Sequence, residues 1–173
     1  SMKCMPKLTA SLLLMATTTS MALDSDRTQK ITLDGGSGCV TRQKEQQTEC
    51  PNGLVVKQGS MVIKAKYGLI GHQKKGIQNI KMTGVPVYFE QKMESGELMV
   101  ILAQKMDYVK KDETIYLKGD VKITSDMGVT TGQEIEINLL TQEISSLSDN
   151  PNQQFHMEIV PENDWSESNC QEL

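Results

Sequence analysis

Few side chains in this sequence have the types and spacing that chemistry demands. Its two histidines are His72 and His156. A histidine near neutral pH can serve as a general base or a metal ligand. His72, however, falls in the stretch between Gly71 and Gly76, which reads as a loop, and His156 alternates outward beside Phe155 and Met157, so both are expected to face solvent. Glu134 and Glu136 are two residues apart, which puts both carboxylates on one face of a strand. Paired carboxylates are what glycoside cleavage uses, but the same spacing makes the wet face of an ordinary strand. Lys74 and Lys75 have the charge to touch sugar phosphates, and a charged loop tip explains them equally well. The sequence contains no GxSxG, HExxH, GxGxxG or GxxxxGK pattern. The expectation is a non-enzymatic protein with no cofactor and no metal.

The four cysteines depend on compartment for their meaning. Lys3 and Lys7, the apolar run Leu12 to Met15, and Ser20-Met21-Ala22 have the order of a basic start, an apolar middle and a small-residue cleavage site. Residues 2–22 are therefore expected to be a secretory signal removed after Ala22, because the apolar run falls short of the roughly 18 to 20 residues a membrane-spanning helix needs. Cys4 would leave with it. Exported proteins keep disulfides. If Lys44-Glu45 is a hairpin tip, facing residues have numbers summing to 89, which pairs Cys39 with Cys50 and pins the register. Cys170 is left over, to stay free or to pair between chains.

Charge narrows the partners. The chain carries 18 Lys+Arg against 22 Asp+Glu, a net charge of -4. Loss of Lys3 and Lys7 with the signal leaves 16 against 22, a net of -6. A nucleic-acid binder carries a basic stripe, and an anionic membrane surface attracts basic clusters, so neither partner is expected. With 4% aromatic residues, the core must be filled by aliphatic side chains.

The elements that must position these residues alternate with a period of two. Ile31 and Leu33 stand against Lys30, Thr32 and Asp34, and the rhythm recurs in Ile115, Leu117, Val121 and Ile123, in Ile135, Ile137 and Leu139, in Val85, Val87 and Phe89, and in Phe155, Met157 and Ile159. Such alternation predicts half-buried antiparallel strands. Turn clusters separate them, among them Gly35 to Gly38, Pro51-Asn52-Gly53, Gln58-Gly59-Ser60, Glu94-Ser95-Gly96 and Asp126-Met127-Gly128. The predicted class is all-β, with 23–160 as one domain and the acidic tail 161–173 disordered. A weak repeat begins at Val62, Val100 and Val129, each with a small residue three positions on: Ala65, Ala103 and Gly132. These are expected to mark corners in a sheet built of stacked hairpins.

Four segments carry a resemblance. Gln58-Gly59-Ser60 after Leu54-Val55-Val56, the run from Gly84 to Gln91, the run from Ala103 to Tyr108, and Leu117-Lys118-Gly119-Asp120-Val121 are similar, in order and spacing, to the LptA (OstA-like) family of lipopolysaccharide-transport proteins. The resemblance spans 23–160, and Cys39 and Cys50 depart from the family's usual apolar or small residues.

The resemblance implies an elongated, open antiparallel β-jelly-roll in the periplasm that binds the lipid A part of lipopolysaccharide. It further implies an inner-membrane LptC-like partner, an outer-membrane LptD-like partner and head-to-tail self-association, with edges for strand addition near 28–34 and 154–160. Combined with the alternation, it lines the lipid groove with Ile31, Leu33, Leu54, Val56, Ile63, Val87, Phe89, Ile101, Met106, Tyr108, Ile115, Leu117, Val121, Ile123, Ile135 and Ile137. The same residues would also build a sealed sandwich core, as in a strand-pairing scaffold without a lipid ligand. A third arrangement, a detached domain of a larger outer-membrane protein, is less expected because the chain stops at Leu173.

Overall fold

The computed structural model describes Asp26 and residues 28–161. The expected signal 2–22, Cys4, Cys170 and residues 162–173 of the expected tail lie outside the described residues. Twelve strands form one continuous antiparallel sheet. In chain order they are β1 (Ile31–Gly35), β2 (Val40–Arg42), β3 (Gln47–Cys50), β4 (Leu54–Gln58), β5 (Met61–Ala65), β6 (Tyr67–His72), β7 (Ile77–Lys92), β8 (Leu98–Val109), β9 (Thr114–Ser125), β10 (Gly128–Asn138), β11 (Ile144–Ser146) and β12 (His156–Ile159).

The sheet is folded along a crease into two layers. The second half of β7 pairs with β5 through Ile63↔Phe89, and its first half pairs with β6 through Ile70↔Ile80. One layer therefore holds β1, β4, β5 and β12, the other β2, β3, β6 and β11, and the long strands β7 to β10 belong to both. Register shifts mark the crease between Thr83 and Val87, between Leu102 and Lys105, and between Gly132 and Glu134. Lys66 makes the same corner between β5 and β6. The corners expected at Ala65, Ala103 and Gly132 are thus where the sheet bends. Each corner in β5–β6, β8 and β10 inserts one extra residue on the outer side, so buried positions shift from odd to even or back: Ile101 and Ala103 are followed by Met106. β9 turns instead through Gly119 at φ +83° and Asp120 at φ +46°, which keeps Ile115, Leu117, Val121 and Ile123 in one phase.

The register expected for the hairpin that pairs Cys39 with Cys50 matches the structure and extends outward to 31–58. Leu33↔Val56 and Thr41↔Thr48 both obey the sum of 89, and Cys39 and Cys50 are bonded. The tip is a four-residue turn, 43–46, rather than a two-residue one, with Gln46 at φ 53° and its N–H donating to the Gln43 carbonyl at 3.3 Å. Val85 does not follow Val87 and Phe89 inward. It is 80% exposed because it sits on the outside of the β7 corner, where alternation is interrupted. The repeat also has a spatial meaning. Val62, Glu90, Val100, Thr124 and Val129 pair in succession, so the three valines share one row across the sheet.

Candidate functional site

The inner faces of the two layers are built from such rows. In the first layer Leu33, Val56, Ile63, Phe89, Ile101 and Ile123 pair one after another. In the second, Ile70, Ile80, Tyr108, Ile115, Ile137 and Ile144 do the same, and nearer the crease Gly68, Met82, Met106, Leu117 and Ile135 follow. Successive inward side chains on each strand supply one member of each row, since the period of a strand is two. Gly68 fits this crowding: a Cβ there would run into the Leu54 side chain.

Of the sixteen residues expected to line a groove, Leu54, Val56, Ile63, Val87, Phe89, Ile101, Met106, Ile115, Leu117, Val121, Ile123, Ile135 and Ile137 are buried in one cluster. Leu33 and Tyr108 pack against it, and Ile31 is 39% exposed at its margin. Sequence reading missed Ile70, Ile77, Ile80 and Met82, which are also buried. Their signal was the apolar spacing of β6 and early β7, masked by the phase changes at Lys66 and at the 84–86 corner.

Away from the crease the layers part into a mostly apolar cleft of about 100 Å³. Ile31, Val56, Met61, Ile63 and Phe89 line it from one layer, and Ile77, Ile80, Met106, Tyr108, Ile115 and Leu139 from the other. Its polar lining consists of Asp26, Gln58, Gln91, Lys110 and Glu113, of which Gln91 is buried. The Tyr108 hydroxyl donates to Glu113 Oε2 at 2.9 Å, which turns the phenol outward and leaves its ring in the cleft. Asp26 crosses toward the β4–β5 turn, where its carboxylate accepts from the Ser60 amide at 3.1 Å and from the Ser60 hydroxyl.

The side chains singled out for catalysis do not come together. Thr48 Oγ1 lies 2.6 Å from His72 Nε2 and 2.9 Å from Thr41 Oγ1, so His72 is tied to β3 instead of facing solvent freely. It reaches there because β6 continues through residue 72, where a loop was expected. His156 is exposed, 3.3 Å from Glu158. Lys118 takes Glu134 at 3.3 Å on the outer face. Among the described residues, no three His, Cys, Asp or Glu side chains gather as a metal site. Two phenols are held in their neutral form. Burial and the bond to Glu49 raise the Tyr67 pKa, and the bond to Glu90 raises that of Tyr88.

An open, creased antiparallel sheet with rows of apolar side chains inside defines a β-jelly-roll. The fold matches the crystal structure of LptH, the LptA homologous periplasmic component of the conserved lipopolysaccharide transport device from Pseudomonas aeruginosa, with a TM-score of 0.70 and 19% identity over 79% of this chain and 99% of that one. Sequence then fixes the family. Residues 36–143 match the family described as LptA/(LptD N-terminal domain) LPS transport protein, and the chain belongs to it. Members of that family are transport proteins, not enzymes. No curated protein matches the chain.

Proposed function

We propose that this protein is a periplasmic lipopolysaccharide carrier that holds the acyl chains of lipid A between its two layers. The observation that supports this most is the set of largely apolar rows running across the strands of both layers and opening into the cleft beside Tyr108. A ligand that must move on needs a succession of similar apolar surfaces and no single deep well, and rows of Ile, Val, Leu and Met supply it. The closed cleft, about 100 Å³, accepts only the end of a chain, so carriage requires the layers to separate along the side opposite the crease. Transfer of about 0.8 kcal/mol per CH₂ gives on the order of 10 kcal/mol for a chain of about 12 carbons, enough to offset such an opening.

The same reading takes 2–22 as a cleaved signal and 23–160 as the carrier domain. It places the protein between an inner-membrane LptC-like partner and an outer-membrane LptD-like partner, with head-to-tail self-association. Among the described residues β1 pairs only with β4 and β12 only with β10, so each leaves backbone groups for strand addition.

Photo-crosslinking tests the carrier role. A light-activated residue at Phe89 or Tyr108 should capture lipopolysaccharide, and one at Lys118 or Glu136, which alternate to the outer face, should not. Thirteen of the sixteen lining residues lie in the buried cluster, which favours a second reading, a strand-pairing scaffold with a sealed core. Folded protein that self-associates but yields no crosslink at any of the four positions would establish the scaffold instead.

A further inference from the structure

The inward face of β7 reads Val87, Phe89, Gln91, and the third member breaks the apolar series. Gln91 is 5% exposed, on the lining of the cleft, and opposite Met99 across the sheet. Its amide nitrogen donates to Asp26 Oδ2 at 3.5 Å. Asp26 can only accept when ionised, so this contact sets which way the amide faces. The amide oxygen is left buried without a hydrogen-bond partner among the described residues. A buried acceptor without a donor is costly, and the cost is recovered only by a group that brings one.

We infer that Gln91 is a specificity-determining residue of the cleft, its carbonyl reading a hydroxyl on an otherwise apolar acyl chain. This rests on the carrier reading above. A hydroxyl suits the site because its O–H supplies the donor that the buried amide oxygen lacks among the described residues. Beyond that point the chain would run along Phe89, Ile63 and Met106, which line the same cleft.

Dodecanoic acid and 3-hydroxydodecanoic acid separate the possibilities when each competes with a fluorescent fatty acid for the full chain. The wild type should bind the hydroxylated acid about three- to tenfold more tightly, the value of one hydrogen bond. Gln91→Met should keep binding dodecanoic acid and bring the ratio to about one. Asp26→Ala, which frees the amide to turn without altering Gln91 itself, should weaken the preference while leaving Gln91→Met unaffected in the double variant. Equal binding of both acids by the wild type, or a preference that survives Gln91→Met, would overturn the assignment and leave the carrier reading standing. Binding of neither acid by folded wild type would remove both.

Discussion

The crease and the open side of this molecule are made of the same strands but are held differently. At the crease, Val87, Ala103, Leu117 and Val121 have 0–2% of their surface exposed. Outside it a polar clasp adds support: Gln104 donates to Asp120 Oδ2 at 3.1 Å, and Gln133 contacts the same carboxylate at 3.4 Å. The Cys39–Cys50 disulfide ties the first strands together near that line. On the open side Ile31 is partly exposed, the Gln91 carbonyl has no hydrogen-bond partner among the described residues, and a cleft separates the layers. The difference shows how one sheet can be stable and yet able to part: buried side chains close the bend completely, while polar groups, a partly exposed Ile31 and a cleft lie where a ligand would go in.

The strongest challenge to that contrast is a pair of truncations. Leu117→Ala, at the crease, should cost about 2–5 kcal/mol in urea unfolding. Ile31→Ala, at the cleft margin, should cost about 1 kcal/mol or less, because the residue is already 39% exposed. Equal losses would mean that the open side is as much core as the interior.

Next in size is the covalent tie. Replacing both Cys39 and Cys50 by alanine should lower stability by about 2–3 kcal/mol under oxidising conditions, with the short loop placing it in that range. A reducing agent should bring the wild type to the level of the double variant in the same denaturation assay.

Two glycines give the finest comparison. Gly96 has φ +86° and nothing within 4 Å of the place a β-carbon would take, whereas Gly119, at φ +83°, would set that carbon against Gln104. Gly96→Ala should therefore cost only the backbone term of about 1 kcal/mol, and Gly119→Ala about 1 kcal/mol more. Thermal melts of the two variants measure the gap. Coinciding melts would show that the clasp at the crease yields as readily as the exposed turn.

How much of this was legible in the sequence depended on phase. β9 is legible because Ile115, Leu117, Val121 and Ile123 stay odd-numbered through the corner, and the cysteine pairing follows from a hairpin whose register never slips. β7 was read only in part. Its buried positions change from Ile80 and Met82 to Val87 and Phe89 across residues 84–86, so a fixed period carried the reading out to Val85 and away from Ile80. The cleft was beyond reach for another reason. Alternation tells which side chains face inward, but whether two inward faces touch or part depends on the angle between layers, which local spacing does not encode. Gln91 is a polar residue at an inward step of an apolar series, a signal the sequence does carry.

That angle has a source in the corners, where residues such as Gln104 and Lys105 lie consecutively on the outside while Ala103 and Met106 lie inside. The outer path is longer than the inner by whole residues, as the outside of a folded card is longer than its inside. The opening of the layers is thus set in integer steps. Exchanging side chains at the bend leaves the count intact, whereas removing a single residue, Gln104 or Gln133, takes up the slack in one strand and pulls that strand toward flatness while its neighbours stay folded.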